Sequence, residues 1–465
     1  MAKPPPESAE VALLAGAGVA SDYARRLLAD LGVRALAVAG PDDPHPALAW
    51  ARSGAMLLTG QQDALPRVPH GPLASCADGV GRALAALGAR APEDPAALLA
   101  ERAALFGLTR RGRTAPGGSC RLLRAADGWA ALNLARADDR RALPAWLEIE
   151  PVRTPIGSAS LADWELAAQE MRRRPLATLA QRARWLGLAF APVVAPPRRA
   201  PPWLRIAARG PRGAPPRRPP RVLDFSALWA GPLCGQLLAD AGAEVIKIES
   251  HHRLDGARAG AAAFYDLLNA GKHSAVLDFA DARDAALLDA LMASADVVIE
   301  SARPRALAQL GIDAGSFVAA RAGRVWVSIT GYGRGDAAPG RVAFGDDAAV
   351  AAGTAHAVAD ADGPLFCADA IADPLTGLHA ALAAWATWHA GGGALLDLSL
   401  RDVTAHALAF APVGDYEVLG GADAARVVVD GATADVAPPR ARASGVAACA
   451  PGADTEALRR ELFAC

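Results

Sequence analysis

The sequence predicts an α/β protein whose core is an open, mostly parallel sheet with helices on both faces. Three observations carry this expectation. Short Val/Ile-rich runs alternate with helix-length amphipathic stretches along most of the chain, which is the pattern of βαβ units. Two segments read as strand, turn, helix and second strand: Val11–Leu14 through Ala35–Val38, and Val222–Phe225 through Val245–Ile248. Parallel strands joined in this way need a helical crossover. Finally, these two segments resemble one another. Leu27-Leu-Ala-Asp-Leu-Gly32 aligns with Leu237-Leu-Ala-Asp-Ala-Gly242 at an offset of 210 positions, the signature of an internal duplication.

The repeat resumes further on. Pro72-Leu-Ala-Ser75-Cys-Ala-Asp-Gly79 lines up with Ala370-Ile-Ala-Asp373-Pro-Leu-Thr-Gly377, now at an offset of 298. The first copy is therefore shorter by about 88 residues and carries Ser75 where the second carries Asp373. Asp78 sits three residues away, at a different point of the helix start. Residues 1–110 are read as a degenerate copy of the large-domain core, and 221–410 as the complete copy.

A different kind of segment lies between them. Cys120–Leu123 and Trp129–Leu134 flank the turn Ala125-Ala-Asp-Gly128 and read as a β-hairpin. Helical stretches follow at Trp164–Arg172 and Leu176–Leu186, so residues 111–195 form a small α+β domain. Residues 196–220 are dense in Pro and Arg and read as an extended, solvated tether; a phosphate-binding strip is the alternative. In the second copy the strand Ala275–Asp278, the helix Asp281–Ala293, the strand Asp296–Glu300 and the strand Val325–Ile329 alternate. The last ends in the Gly-rich loop Thr330–Gly335. A Rossmann-like sheet of this kind places ligands beyond the carboxyl ends of its strands. Residues 411–465 are read as a tail packed on the large domain.

Composition bounds the function. The chain has 465 residues and a formal net charge of −1, which gives no electrostatic footprint for nucleic acid. Its six cysteines are scattered without a C-x-x-C, so neither a zinc site nor a disulfide framework is expected. No signal-like or membrane-spanning run is evident, and the expectation is a cytoplasmic protein with neither membrane nor nucleic-acid partners. Gly16-Ala17-Gly18 has Ser21 where a dinucleotide motif needs its third glycine. There is no phosphate-loop or nucleophile-elbow motif. The histidines, His251-His252 among them, show no metal-ligand spacing, and His379 reads as a core or rim residue.

One carboxylate stands out. Asp373 ends an extended run and precedes the apolar stretch Leu378–Trp388, with Pro374 next to it. It is either an N-cap or first-turn residue of that helix or a nucleophile held where backbone N–H groups stabilise negative charge.

The second copy resembles the family III CoA-transferases, the CaiB/BaiF family, which also includes alpha-methylacyl-CoA racemases. The resemblance rests on Val222-Leu-Asp-Phe-Ser226, Ala230-Gly-Pro232, Leu238-Ala-Asp-Ala-Gly-Ala243, Val245-Ile-Lys-Ile-Glu249, Asn269-Ala-Gly-Lys272, Asp296-Val-Val-Ile-Glu300 and Ile371-Ala-Asp373, in that order. It implies transfer of CoA from an acyl-CoA to a carboxylic acid through an aspartyl-CoA thioester on Asp373. Acyl-CoA and a small acid are then the substrates, with no permanently bound cofactor and no metal. The implied CoA contacts are Lys272, Arg303, Trp229 and Gly331. Ordinary solvated surface charge is the alternative for Lys272 and Arg303. Members of this family form interlocked dimers. Two large-domain copies and one small domain on a single chain imply a pseudo-dimeric monomer, with a homodimer as the alternative. Other readings are an acyl-CoA-binding pseudoenzyme or a racemase. Against the last, Phe344-Gly345-Asp346 has Gly345 where the racemases carry a histidine. The chain also departs from the transferases, which often have Gln at the position of Trp229, Arg at Ser250 and, in some members, Asn at Ser301.

Overall fold

The computed structural model describes residues 11–463, apart from 151–159, 302–306, 309, 336–339 and 423. The N-terminal unit holds β1 (Val11–Ala15) and β2 (Arg34–Val38), paired in parallel through the helix Val19–Asp30. The helix Leu73–Ala86 packs on that crossover helix. The small domain follows, with β3 (Cys120–Ala125), β4 (Gly128–Asn133) and β5 (Ala189–Pro192) in an antiparallel sheet. Its helices Ala137–Leu147, Leu161–Met171 and Leu176–Leu186 share a core around Trp146, Trp164 and Met171.

The main sheet has seven strands: β6 (Arg205–Arg209), β7 (Arg221–Asp224), β8 (Glu244–Ser250), β9 (His273–Leu277), β10 (Val297–Glu300), β11 (Val325–Thr330) and β12 (Ala394–Ser399). Their spatial order is β6-β12-β11-β10-β7-β8-β9. All neighbouring pairs are parallel except β6 with β12. The six parallel strands thus run outward in both directions from the β7/β10 pair, which makes that junction the topological switch point. Cores lie on both faces. One holds the helices Ala282–Ser294, Ala314–Ala320 and Thr455–Phe463; the other holds Ala230–Asp240 and Ala372–His389.

The helix Ala372–His389 is buried on nearly every side, as an almost wholly apolar helix must be. It contacts Ala230–Asp240 of its own copy and Leu73–Ala86 of the N-terminal unit. The packing of Ala372–His389 on Ala230–Asp240 repeats that of Leu73–Ala86 on Val19–Asp30 at the offsets of the sequence repeat. A Cβ on Gly79 would stand 2.7 Å from the Ala20 carbonyl oxygen, and one on Gly377 would stand 2.8 Å from that of Ala230. Glycine is needed at both places because helix backbones meet there. The two helix pairs also share one continuous core that runs from Ala12 to Ala434, and buried Tyr23 Oη lies 2.7 Å from His379 Nε2. His379 is accordingly a core residue, its imidazole held neutral by burial.

Two segments depart from the sequence expectation. Residues 196–220 are not a solvated tether. Trp203 is buried, with its indole N–H on Asp30 Oδ2 (3.1 Å), and β6 closes the edge of the main sheet. An exposed, Arg-rich edge strand with prolines on either side satisfies the same composition, because only one edge of its backbone needs a partner. Residues 411–465 divide between two surfaces rather than packing on the large domain alone. The meander β13 (Glu417–Gly420), β14 (Ala425–Val429) and β15 (Ala432–Asp435) lies against the helix Pro46–Arg52 of the N-terminal unit. Arg442 binds Glu101 there (2.6 Å). Asp454 and Thr455 then bind β9, and Leu458 enters the core of the large domain.

Candidate active site

Asp373 is the second residue of its helix, and Pro374 the third. The N-cap position is Ile371, with no side-chain cap among the described residues. Asp373 is therefore in the first turn without serving as the cap. Two residues in the left-handed region precede it, Ala368 (φ 56°) and Ala370 (φ 43°). Such backbone is costly for alanine and persists only where its surroundings fix it. Here the Ala368 N–H donates to Thr59 Oγ1 (3.0 Å) and the Ala370 N–H to Asp346 Oδ1 (2.9 Å).

The turn between these alanines presents Asp369, which is fully buried and held by Arg102 through two bonds of 2.7 and 2.6 Å. Arg102 also lies over the Trp229 ring, 5.2 Å from its centroid. Asp346 starts the helix Gly345–Ala351 from the other side. One guanidinium thus faces three carboxylates, those of Asp369, Asp346 and Asp373. Asp373 is partly exposed. Burial pushes its carboxyl up to about 7; Arg102 opposes this, Asp346 and Asp369 add to it, and a hydrogen bond from the Gly345 amide opposes it. Burial likewise raises Asp346, with Asp369 adding and Arg102 opposing. Its neighbour Asp347 accepts from Asn133 Nδ2 of the small domain (3.1 Å), and burial lifts its carboxyl to about 7.

Gly345 has no room for a side chain. A Cβ there would stand 2.2 Å from Asp373 Oδ2 and 2.4 Å from the Ala370 carbonyl oxygen. The space that a side chain at position 345 would need is occupied by the Asp373 carboxylate itself. Gly345→Ala is expected to displace that carboxylate, cost about 1–3 kcal/mol by overpacking and lower any Asp373-dependent turnover by about 100-fold. Thermal unfolding and turnover read the two effects. Full turnover in this variant would show that Asp373 is not held by Gly345.

The proposed CoA contacts separate. Lys272 is only 2 % exposed, and its Nζ donates to Asp224 Oδ2 (2.9 Å), the Pro232 carbonyl (2.8 Å) and Asn269 Oδ1 (3.2 Å). Its three donors are used inside the protein, where it joins β7 to the base of β9. Trp229 is 3 % exposed and edge-on to Phe264; its indole N–H has no partner among the described residues. It stands beside Arg102, within the acid cluster's own wall. Gly331 follows β11 and turns its α-carbon onto Ala343, two residues before Gly345, while its carbonyl accepts from the Arg401 amide (3.2 Å). It therefore lies next to the site as backbone. Arg303 lies outside the described residues.

The switch point adjoins this cluster. After β7, the Ala227 N–H donates to Ser301 Oγ at the end of β10 (3.1 Å). Leu228 follows at φ 72°, with its N–H on Asp255 Oδ1 (3.0 Å). Trp229 comes next and carries the chain from the carboxyl end of β7 to Arg102.

The N-terminal unit carries Ser75 at the position that the sequence repeat aligns with Asp373. Ser75 is buried, and its Oγ has no partner among the described residues. A Cβ on Gly71 would stand 1.9 Å from the Leu408 carbonyl oxygen. Asp78 is structural, accepting from the Ala96 amide (3.1 Å).

Thr59, Arg102 and Asn133 carried no sequence signal. Arg102 lies 267 positions from Asp369, and only the docking of the N-terminal unit brings them together. Asp346 entered the sequence reading only within Phe344-Gly345-Asp346, Asp347 did not enter it, and the approach of either to Asp373 was not legible there.

Comparisons with known proteins find similarity over less than half of the chain. Residues 220–441 match the model of CoA-transferase family III. The chain is 34% identical over 219 residues to a succinate–glutarate CoA-transferase of Agrobacterium fabrum, covering 42% of this chain and 54% of that protein. It is 31% identical over 194 residues to a formyl-CoA:oxalate CoA-transferase of Afipia carboxidovorans, covering 39% and 46%. Among solved structures, a CaiB/BaiF family protein from Brucella suis is similar at 28% identity and a TM-score of 0.37, over 43% of this chain and 56% of that one. The chain thus spans about half the length of the curated relatives it matches. Over residues 220–441, this chain is similar to CoA-transferase family III.

Proposed function

We propose that the protein transfers CoA from an acyl-CoA thioester to a small carboxylic acid, with Asp373 as the covalent nucleophile. The observation that carries this is a partly exposed carboxylate, set in the first turn of a buried helix and braced by the Gly345 amide. It lies inside the segment that matches a CoA-transferase family. Asp373 Oδ attacks the thioester carbonyl, and the C–S bond breaks to give a mixed anhydride and CoA thiolate. The thiolate attacks the Asp373 carbonyl, releasing the donor acid and leaving an aspartyl-CoA thioester. The acceptor carboxylate attacks that thioester and expels thiolate again. The thiolate then takes the acceptor acyl group and frees Asp373. A carboxylate nucleophile divides one difficult exchange into four easier displacements. The helix N-terminus and local amides are positioned to stabilise the developing oxyanions. The absence of room at Gly345 supports transfer over racemisation, since a second base for α-proton exchange has no place there.

In this reading the N-terminal unit is a reduced copy of the large domain that serves as a built-in second half. The chain then works as a pseudo-dimeric monomer with one competent carboxylate. CoA and its esters are substrates rather than resident cofactors.

The test is the intact mass of the protein after incubation with a panel of acyl-CoAs, followed by borohydride and peptide mapping. Reduction of an aspartyl thioester to the alcohol should map to Asp373. An unmodified Asp373, with acyl-CoA binding demonstrated separately, would replace the transferase reading with that of a binding protein.

A further inference from the structure

Two left-handed alanines lead into Asp373, and the first of them is pinned by a residue outside the segment that matches the family. Thr59 is fully buried, directly after the short helical turn Met56–Leu58. Its Oγ1 accepts from the Ala368 N–H (3.0 Å) and donates to the Ala55 carbonyl (2.9 Å). The hydroxyl has its one proton and one of its lone pairs committed, so its direction is fixed. The backbone around it is fixed as well. The Thr59 carbonyl accepts from the Arg67 amide (3.1 Å), the Gly60 carbonyl from the Gly112 amide (3.0 Å), and the Gly112 carbonyl from the Phe366 amide (2.9 Å). The run that ends at Asp373 is thus tied twice to residues 59–112, by backbone at Phe366 and by the Thr59 hydroxyl at Ala368.

The path from this hydroxyl to Asp373 is short. Ala368 (φ 56°) and Ala370 (φ 43°) flank Asp369, which Arg102 holds. The Ala370 carbonyl accepts from the Asp373 amide (2.9 Å). Rotation of the Ala368 backbone out of the left-handed region would therefore turn the peptide on which Asp373 is seated. Alanine disfavours that region. Ala368 is also fully buried, so loss of the Thr59 acceptor would leave its N–H without a partner. We propose that Thr59 is a positioning residue for Asp373: its hydroxyl keeps Ala368 left-handed and so holds the carboxylate in its attacking geometry. Thr59 acts through the backbone and not on the substrate. The N-terminal unit then sets the rate at which Asp373 reacts through a single hydroxyl, separately from the charge of Arg102. The kinetic consequence rests on the transferase reading, whereas the hold on the turn is read without turnover.

The experiment uses the full chain and three variants: Thr59→Val, Thr59→Ser and the double variant Thr59→Val/Ala368→Gly. CoA exchange gives kcat and KM, and deuterium uptake followed by mass spectrometry gives the protection of the peptide spanning 366–373. Thr59→Val removes the acceptor and keeps the branched shape. It should lower kcat about 10- to 100-fold, leave the KM for acyl-CoA unchanged and speed deuterium uptake in 366–373. Thr59→Ser keeps the hydroxyl and should retain most of kcat. Glycine enters the left-handed region without a steric penalty, so adding Ala368→Gly to Thr59→Val should recover most of the lost kcat. A merely structural Thr59 gives a different pattern: activity falls with thermal stability, and a second change in the same buried turn restores nothing. Wild-type kcat in Thr59→Val, a rise confined to KM, or no recovery on adding Ala368→Gly overturns the role. If the wild-type protein exchanges no CoA, the transferase reading fails, and deuterium uptake alone decides the hold on the turn. Faster uptake confined to 366–373 in Thr59→Val then upholds it, and unchanged uptake overturns it.

Discussion

Asp373→Asn is expected to abolish CoA exchange while acyl-CoA still binds. Asparagine keeps the size of the side chain and can still meet the Gly345 amide through its carbonyl oxygen, but it offers no anionic oxygen for acyl transfer. Loss of a covalent nucleophile costs on the order of 10⁴-fold or more in kcat. The fold should hold, because the variant removes a carboxyl that burial already disfavours. Three measurements made together decide the matter: isotope exchange between acyl-CoA and free acid, acyl-CoA affinity, and thermal unfolding. Exchange at the wild-type rate would end the role of Asp373. Loss of binding and of the folded state together would mean that the residue is structural. Ser75 gives a related expectation. The position that the sequence repeat aligns with Asp373 carries Ser75, which is buried and has no carboxylate, so the chain should bind one acyl-CoA covalently, not two.

The second large effect should come from outside the family segment. Arg102 is the cation that balances Asp369, Asp346 and Asp373. Asp373 attacks only when ionised. With its carboxyl near 7, kcat should rise about tenfold per pH unit below 7 and level off above it. Removing an opposing cation leaves the acids to repel one another, and the shift is upward by about 1–3 units. Arg102→Gln should therefore move the acid limb of the profile to higher pH and leave little activity at pH 7. Arg102→Lys should return most of the limb to its wild-type position, although not the two-pronged hold on Asp369. A purely structural role would lower the plateau and leave the limb in place, and that result would remove Arg102 from the account of the site. Because an uncompensated Asp369 is costly in a buried place, Arg102→Lys provides the test if Arg102→Gln fails to fold.

The alternation of Val/Ile runs and amphipathic stretches was enough to read the main sheet, because each βαβ unit is specified locally by periodicity and turn residues. The hairpin at Ala125–Gly128 was legible for the same reason. Composition misled at 196–220. A Pro- and Arg-rich stretch is compatible with either a tether or an exposed edge strand, and the distinction depends on whether β12 has a free side. Lys272 misled in a similar way. Its motif is real, but a lysine read from sequence alone does not reveal that Asp224, Asn269 and a carbonyl will enclose it.

The sequence by itself determined the α/β class, the repeat offsets and the singular position of Asp373, since all three are written in residues close together along the chain. Only the tertiary structure decided that Asp369, Asp346 and Arg102 surround that carboxylate, that a side chain at Gly345 would have no room beside it, and that Ser75 is buried. These are consequences of long-range packing. The buried helix Ala372–His389 must be covered on every side, and the N-terminal unit that covers it brings Thr59 and Arg102 to the turn on which Asp373 stands.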